Sequence, residues 1–375
     1  MNKKLLTAAI TAGLMLPGLA AADIKMFGVI QAETGNIDLD TQGVAGQSSY
    51  QTAGRNSGGD SGAIFGGGKN ALGFKGDEKL GNGLSAYFKI NQSFSTFDKG
   101  ANSFGGRDAF VGLKGDGWHV QFGTMNSRYK ASSAGYDPLL ATGLQSRANG
   151  GVSNLHNGYA EDVAEVGFKS GAWSGGFQMK IEDSSNDNVN SGGLNDNAEI
   201  GSYNFNVKYA ANNWEAGLAY SDSDFDNAGA GTDGDADAWK FHAKYNFGNG
   251  FAINGQYESI DQNARAAASG ATPVGSGNYG SGLFGQAESY DAFQLVGTYA
   301  LSDATTIGAR YADADVDDIA GVAGADGDSD HWAVFVNHNM SKRTSIYGGY
   351  MDNEYDRKGA AADQDLDTWA IGMLH

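Results

Sequence analysis

Three short runs of carboxylates could contribute to metal binding. Each run places aspartate at every second position, and together they comprise Asp222, Asp224 and Asp226, then Asp233, Asp235 and Asp237, and finally Asp313, Asp315 and Asp317. In an extended chain this spacing puts three carboxylates on one side, which suits the oxygen preference of Ca²⁺ and Mg²⁺. None of the runs has the glycine at position six or the glutamate at position twelve of an EF-hand loop. We therefore expect solvated acidic loops and no defined metal site, with loose bridging of divalent cations as the alternative.

Groups that could support catalysis or cofactor binding are sparse. The chain has no Cys, and its six His form no HExxH pattern. GSGNYG at 275–280 matches GxGxxG in letters only, because it lies in a glycine-rich stretch with no helix to follow. The formal net charge of −19 argues against a nucleic-acid partner. The sequence thus predicts no catalytic residue, no cofactor and no enzyme activity.

Basic side chains instead recur at every second position of extended runs. In DAWKFHAKYNFGNG at 237–250, Lys240 and Lys244 alternate with Phe241 and Tyr245. A strand with one apolar face and one charged face needs a hydrophobic environment on one side and water on the other. We expect the basic residues of this parity to line an aqueous lumen, namely Lys89, Lys180, Lys208, Lys240, Lys244 and Arg310.

The elements that position these groups are predicted to be β-strands. Sixteen period-two runs follow one another, starting with 24–34 and 67–76. Their connections alternate between short turns, such as GNG, and long segments rich in Gly, Ser, Asn and Asp, such as 35–66. This alternation predicts an antiparallel sheet whose long connections all lie at one end.

The N-terminal segment has the features of an export signal. Lys3 and Lys4 precede an apolar run that ends near Leu19, and small residues follow at 20–22. We interpret residues 1–22 as a signal peptide and 23–375 as one domain. No later stretch approaches the ~18 consecutive apolar residues of a spanning helix, so the mature chain is either soluble or crosses a membrane as strands.

The distribution of aromatic residues favours the membrane alternative over a soluble β-sandwich or adhesin. Trp, Tyr and Phe concentrate near the ends of the runs, as in the aromatic girdles of outer-membrane barrels. An open sheet edge in hydrocarbon would leave backbone groups unpaired, so the last strand should pair with the first. The sequence therefore predicts an all-β fold, a 16-stranded antiparallel transmembrane β-barrel whose lumen is too wide for side chains to fill.

Three stretches carry a family resemblance: ADIKMFGVIQAETG, ALGFKGDEKLGNGLSAYFKI and FGGRDAFVGLKGDGWHVQFG. They resemble the general diffusion porins of Gram-negative outer membranes. The resemblance implies a homotrimer of barrels in contact with outer-membrane lipid and lipopolysaccharide, through which ions and small hydrophilic solutes diffuse passively. It also implies that the third long loop folds inward and narrows the pore. The corresponding segment here is MNSRYKASSAGYDPLLATGLQSRANGGVSNLHNG.

The resemblance places a pore constriction between this loop and the barrel wall. In the family, an acidic loop segment faces a cluster of arginines and lysines, and such rings of charge select permeating ions. Arg107 stands where the family has the arginine of RxAxVGL, and Asp137 stands near the tip of the loop. The constriction candidates are Arg107, Arg128, Lys130, Asp137, Arg147, Glu161 and Glu165.

Several positions depart from the family pattern. Thr124 replaces a wall arginine in the fifth strand, and Glu161 stands where an arginine is expected before the sixth. The final segment, WAIGMLH, lacks the terminal Phe of the family. Because wall cations favour anions, their loss predicts a nearly neutral or weakly cation-selective pore.

The strict alternation of side chains conflicts with two of the constriction candidates. It would place Arg107 and Arg128 on the lipid-facing side of their strands. We therefore expect either a bulge near Gly105 or Gly123 that resets the register, or a position above the membrane. A passive porin is the predicted function. The alternatives are a substrate-selective channel, whose lumen would show a row of aromatic residues, and a non-conducting adhesin or structural barrel.

Overall fold

The computed structural model describes residues 23–41, 51–52, 55–56, 61–66, 68–96, 105–147, 151–153, 159–181, 202–225, 234–262, 287–318, 327–357 and 363–375. The predicted signal peptide and parts of several long connections lie outside the described residues. Among the described residues, no helix has the length and apolar character needed to cross a membrane.

Antiparallel β-structure dominates the described chain, as the period-two runs predict. The strands are β1 (Lys25–Val29), β2 (Gln31–Thr41), β3 (Gln51–Thr52), β4 (Arg55–Asn56), β5 (Ser61–Gly66), β6 (Ala71–Gly81), β7 (Leu84–Ser93), β8 (Gly105–Gly115), β9 (Trp118–Asn126), β10 (Tyr159–Ser170), β11 (Trp173–Lys180), β12 (Tyr203–Ala211), β13 (Trp214–Phe225), β14 (Gly234–Asn246), β15 (Phe251–Gln262), β16 (Ala287–Ala300), β17 (Thr305–Asp318), β18 (Gly327–Asn339), β19 (Ser345–Arg357) and β20 (Gln364–Leu374).

The strand pairing closes into a ring. Each strand from β6 to β19 pairs with the next one along the chain, and β20 pairs with β2. On the other side of the seam, β2 pairs with β5 and β1 pairs with β6. Only Ile30 separates β1 from β2, and only 67–70 separate β5 from β6, so each pair forms one line of the wall. The described strands thus give sixteen positions around an antiparallel barrel, with β3 and β4 forming a separate small hairpin.

The seam of the barrel lies between the first and last strands. Gly35 of β2 lies opposite Ala370 of β20, and a side chain at Gly35 would collide with the carbonyl oxygen of Trp369. Beyond the ladder, the Ile30 amide donates to the His375 carbonyl oxygen at 2.9 Å, and the His375 amide donates in return at 2.9 Å. Closure pairs the edge groups that an open sheet would expose.

The two faces of the sheet differ as the sequence predicts. On β14, Trp239, Phe241 and Tyr245 lie on the exposed outer face, and 53% of the Phe241 surface is accessible. Lys240 and His242 point the other way and are completely buried, whereas Lys244 is exposed. The inner face of this strand is therefore polar, but part of it is covered by protein.

The strand ends differ from the sequence prediction near the N-terminus. β2 continues to Thr41, and β5 begins at Ser61, within the stretch predicted as a connection at 35–66. β6 likewise extends through most of the predicted turn at 77–83, and a tight turn remains at Asn82, whose φ is 51°. In β2, Ile37 and Leu39 do alternate with polar residues, but Ile37 is buried on the inner side of the wall, opposite to the apolar-outward pattern of the other strands. At 77–81 the charged residues and glycine resemble a turn.

At the long-loop end, the outer face changes from apolar to acidic. The hydroxyl of Tyr257 donates to Asp291 at 2.7 Å, and that of Tyr311 donates to Asp330 at 2.5 Å. The aspartates of the third acidic run follow Tyr311 on the same outer face of β17. Within the described ranges, no group of three or more acidic or histidine side chains could hold a metal ion. On the outer face, the apolar residues therefore end where these aspartates begin, at the long-loop end of the barrel.

Candidate functional site

The connection between β9 and β10 lies inside the barrel. This inward loop (127–158, described at 127–147 and 151–153) contains α1 (Arg128–Ser133) and a 3-10 turn at Ala134–Tyr136. The Ser127 side chain caps α1 by accepting a hydrogen bond from the Lys130 amide at 3.1 Å. The loop forms hydrogen bonds with β2, β10, β15 and β17, which lie on different sides of the ring. A segment can reach all of these strands only from within the lumen.

The first anchor of the inward loop is Arg128 at its base. The guanidinium of Arg128 forms a buried ion pair with Glu165 of β10, and Nη2 lies 2.9 Å from His119 Nε2. The Arg128 amide donates to Gln178 at 3.0 Å. Gly176 provides the space, because a Cβ there would lie 2.5 Å from Arg128 Nε. Arg128 and Glu165 thus neutralise each other and fix the start of the loop.

The second anchor joins α1 to strands β14 and β15. The Tyr129 hydroxyl donates to Glu258 Oε2 at 2.9 Å, and Lys240 Nζ donates to the Tyr129 carbonyl oxygen at 2.8 Å. Further along the loop, the Ser153 amide and hydroxyl donate to Glu258 at 2.5 and 2.9 Å. Lys240 also lies opposite Glu258 in the sheet, so the buried positive and negative charges compensate each other.

The third anchor holds the tip of the loop. Arg310 of β17 donates from Nη1 to Asp137 Oδ1 at 2.7 Å and from Nη2 to the Leu144 carbonyl oxygen at 2.5 Å. Asp137 Oδ2 also accepts from the Ser146 amide at 2.9 Å. On its other side, Arg310 Nε donates to His331 at 3.0 Å. Buried charge-assisted hydrogen bonds of this kind fix geometry strongly.

A basic cluster lies where the inward loop meets the wall near β8 and β10. It consists of Arg107, Lys130 and Arg147. Arg107 Nη2 donates to the Gly68 carbonyl oxygen at 2.7 Å, and Lys130 Nζ lies 4.1 Å from the centroid of the Tyr159 ring. Burial, together with the positive charges of Arg147 and Arg107, lowers the pKa of Lys130 to about 7. Burial likewise lowers the pKa of Arg147 to about 10.

A cavity of about 280 Å³ lies between the loop tip and the wall. Pro138, Leu139 and Thr142 line it from the loop. The wall contributes polar side chains and apolar or aromatic ones. The polar set is Lys69, Thr298, Thr306, Asn337 and Ser345, and the other set is Phe335, Val336, Tyr347 and Leu374. The cavity beside the loop tip therefore has a mixed polar and apolar lining.

The structure brings the constriction candidates together in three groups. Arg107, Lys130 and Arg147 form the basic cluster; Arg128 pairs with Glu165; and Asp137 pairs with Arg310, which had been expected to line open lumen. Glu161 is exposed, whereas Glu165 is buried.

The strand register shifts near both Gly105 and Gly123, the two positions at which a bulge was expected. The β9–β10 ladder shifts between Ala160 and Val163, opposite Gly123, and the β7–β8 ladder shifts close to Gly105. Gly123 has a φ of 128°, a conformation that favours glycine. The bulges give Arg107 and Arg128 positions that strict alternation could not predict.

The remaining basic residues of the inner face differ in their surroundings. Lys89 pairs with Asp108 at 2.7 Å, and Lys208 pairs with Glu215 at 3.5 Å. Lys180 and Lys244 also lie on the inward parity of their strands, whereas Lys240 is buried beneath the loop. The predicted lumen lining thus divides into residues that face the open lumen and residues that hold the inward loop.

Sequence reasoning missed several groups that fix the loop. Glu33 of β2 accepts from the Gly143 amide at 2.9 Å, and His119 and His331 contact the two anchoring arginines. Glu258 could be assigned only to an inward-facing position. The one available signal was the inward parity of these residues, which identifies the side of the wall but not the loop atoms that they meet.

Comparison with known proteins identifies a matching family and relatives of this chain. A family model described as Gram-negative porin matches residues 6–358. The chain is 31% identical over 147 residues to the major outer membrane protein P.IA of Neisseria meningitidis serogroup C, a match that covers 37% of this chain and 36% of the relative. It is 34% identical over 136 residues to the major outer membrane protein P.IB of Neisseria gonorrhoeae, covering 36% and 35%. These matches thus span about a third of each relative.

Solved structures share the fold over nearly the whole chain. The anion-selective porin from Comamonas acidovorans has a TM-score of 0.67 at 18% identity, covering 94% of this chain and 99% of that one. The outer membrane channel DcaP of Acinetobacter baumannii has a TM-score of 0.66 at 14% identity, covering 96% and 99%. At these identities the likeness shows the barrel architecture alone.

Proposed function

Because this chain belongs to the Gram-negative porin family, we propose that it forms a water-filled channel in the outer membrane. Ions and small hydrophilic solutes diffuse through it down their gradients. The observation that carries this proposal is a closed barrel with an apolar outer face and a loop anchored inside its lumen. Passive diffusion requires neither a cofactor nor a reaction, and family membership implies a channel rather than an enzyme.

The inward loop supplies the constriction of this channel. Its tip reaches the far wall through Asp137 and Arg310, so solutes pass through the space that the loop leaves open. The basic cluster of Arg107, Lys130 and Arg147 and the cavity beside the loop tip lie where this loop meets the wall. Charge and diameter at such a narrowing determine which ions pass.

The proposal includes a homotrimer surrounded by outer-membrane lipid and lipopolysaccharide. The short turns would face the periplasm and the long loops the exterior, as in other bacterial barrels. The exposed tyrosines and aspartates above the apolar band, such as Tyr311 and Asp330, would then lie at the level of the outer lipid headgroups. A trimer predicts a heat-sensitive band on gels, in which unheated protein migrates at about three times the mass of boiled protein.

Reconstitution in planar bilayers tests the channel function. We expect stepwise increases in current in KCl when the purified protein is added, with a linear current–voltage relation at low voltage. Folding should be verified independently by resistance of the barrel to unfolding in detergent at room temperature. Folded protein that carries no ionic current would refute the channel function and favour a non-conducting adhesin or structural barrel.

A further inference from the structure

The cavity beside the loop tip combines two aromatic rings with a set of hydroxyl and amide groups. The rings belong to Phe335 of β18 and Tyr347 of β19, which are 7% and 8% exposed. The polar groups lie nearer the short turns and are only half-buried; they are Thr298, Thr306, Asn337 and Ser345. Because these groups and Pro138 remain accessible to solvent, a small solute can enter from the lumen. A volume of about 280 Å³ suits one such solute.

The ring of Tyr347 is held in place through its hydroxyl. Gln31 Nε2 donates to the hydroxyl oxygen, and the hydroxyl donates to Glu33. The other oxygen of Glu33 accepts from the Gly143 amide at 2.9 Å. Gly372 leaves the space for the ring, because a Cβ there would collide with it. The ring is therefore fixed before any solute arrives, which lowers the entropic cost of binding.

The ring of Phe335 occupies the space that a side chain at Gly308 would need. A Cβ at Gly308 would collide with three atoms of this ring, so the ring extends across the inner face of β17. Next to it, a Cβ at Gly349 would lie 3.1 Å from Phe335 Cβ and 3.0 Å from Leu144 of the loop. The loop and the two wall glycines thus hold the ring against the wall, where it lines the cavity.

The charged groups near the cavity balance one another. Lys69 lines the cavity, and Asp137 and Glu33 lie close enough for their negative charges to act on its amine. Asp137 is in turn paired with Arg310 at 2.7 Å. Two positive side chains therefore accompany two negative ones. This balance offers no gain to a solute with a net charge, which would still lose part of its hydration on entry.

The polar side chains of the cavity can form new hydrogen bonds. Within the described part of the chain, the hydroxyls of Thr298, Thr306 and Ser345 form no side-chain hydrogen bond. Asn337 donates once, to Asn339 at 3.2 Å, and an amide can form further bonds. A solute that displaces water here must replace both donors and acceptors, as hydroxyl groups do. A ring-shaped solute with several hydroxyls also offers an apolar C–H face to the aromatic rings.

We propose that this cavity binds a neutral monosaccharide. The C–H face of the sugar ring packs against Phe335 and Tyr347, and its hydroxyls bond to Thr298, Thr306 and Asn337. The inference rests on the proposed channel function and deepens it by naming a substrate class. Sugars are then concentrated beside the loop tip before they leave along the lumen.

Block of the ion current in planar bilayers tests the site. The KCl current through single channels is recorded while D-glucose or D-galactose is added. Sorbitol, an open-chain polyol of nearly the same size, corrects for viscosity and for simple occupation of the lumen. We expect at least one of the two sugars to reduce the current in a saturable way, beyond the reduction that sorbitol causes at the same concentration.

Two variants remove different parts of the site. Phe335→Leu keeps an apolar side chain but removes the aromatic face, and Asn337→Leu removes the polar atoms at similar volume. Each should raise the half-blocking concentration by roughly threefold to tenfold, because each removes one ring contact or one hydrogen bond. Asn337→Leu, at a half-buried position, also covers the case in which Phe335→Leu fails to fold.

Asn206→Leu is the matched control. Asn206 is also a half-buried asparagine of the inner face, but it lies on β12 and does not line the cavity. Its half-blocking concentration should stay within about twofold of the wild type, because distant sites act independently. Heat-sensitive migration on gels verifies that each variant is folded.

The outcomes separate the two proposals. Absence of any KCl current in the folded wild type would overturn the channel function itself. Normal current that neither sugar blocks more than sorbitol would overturn the sugar site and leave the channel function standing. Block that the two cavity variants leave unchanged, or that Asn206→Leu weakens equally, would also overturn the site, because the sugar would then bind elsewhere. Selective weakening in the cavity variants supports it.

Discussion

Replacing Arg310 with methionine should release the tip of the inward loop. Arg310 is buried and supplies Asp137 with a charged hydrogen bond at 2.7 Å while also holding the Leu144 carbonyl oxygen at 2.5 Å. After the substitution Asp137 would keep backbone donors, including the Ser146 amide, but would lose its counter-charge. The buried carboxylate would then favour a conformation in which the tip leaves the wall and the carboxylate reaches water.

The magnitude follows from the burial of both partners. Removing one member of a buried ion pair costs about 3–5 kcal/mol. Since about 1.4 kcal/mol corresponds to a factor of ten, the equilibrium between anchored and released tip should shift by roughly two to three and a half powers of ten. The base of the loop should stay in place, because the Arg128–Glu165 pair and the Tyr129–Glu258 hydrogen bond are untouched. We therefore expect a local release of the tip and an intact barrel.

Single-channel recording measures this release. Arg310→Met should increase the open-channel current noise and raise the mean conductance, because the tip no longer occupies a fixed part of the lumen. Limited proteolysis of the same protein should show new cleavage between residues 134 and 147. Lys244→Met, which removes an exposed lysine from the inner face, is the matched control and should change neither property.

A double variant provides the decisive comparison. Arg310→Met combined with Asp137→Leu removes both charges, and replacing a whole buried pair by apolar residues typically costs far less than breaking it. The double variant should therefore be quieter than Arg310→Met alone. A double variant as noisy as the single one would refute the assignment to an unpaired buried charge. A single variant identical to the wild type would show that the pair does not hold the tip.

Three further predictions concern the wall, the seam and the response to pH. Phe241→Arg places a charge on the outer face and should reduce the free energy of unfolding in lipid vesicles by about 2–4 kcal/mol if the residue lies near the bilayer midplane, whereas Lys244→Gln, exposed on the inner face, should leave it nearly unchanged; equal effects would contradict the assignment of the faces. Gly35→Val should impair barrel closure, seen as lower resistance to heat on gels, because its side chain would meet the Trp369 carbonyl oxygen. Lys130, whose pKa is lowered to about 7, is protonated below that pH and neutral above it; the preference for anions, measured as reversal potential in a KCl gradient, should therefore fall as pH rises through about 7, and a Lys130→Gln variant that keeps the same pH dependence would refute this origin.

Much of the wall could be predicted from the sequence because the period of a β-strand is a local property. Alternation of Phe241 and Tyr245 with Lys240 and Lys244 assigns an outer and an inner face without knowledge of any distant contact. The count of strand lines and the alternation of short and long connections follow from the same pattern. Prediction was poorest at 35–41 and 77–81. In the first stretch the alternation persists but Ile37 is buried on the inner side, and in the second the charged residues and glycine resemble a turn although the strand continues.

The candidate site was less predictable because it is made of contacts between residues far apart in the chain. The sequence identified Arg107, Lys130 and Arg147 as charged groups on or near one loop, but not that they converge, since that depends on how the loop folds inside the ring. It likewise placed Arg310 on the inner face without indicating that its partner is Asp137, which lies 173 positions away in the chain.

The sequence by itself therefore determined the barrel and its two faces, and the family resemblance implied the loop that enters the lumen. The tertiary structure decided which inward charges neutralise each other and which come together as the basic cluster. The physical reason is one of range. Strand periodicity is imposed residue by residue by the backbone, whereas the pairing of Arg128 with Glu165, or the gathering of Arg107 with Arg147, depends on bulges and loop anchors that alternation does not encode.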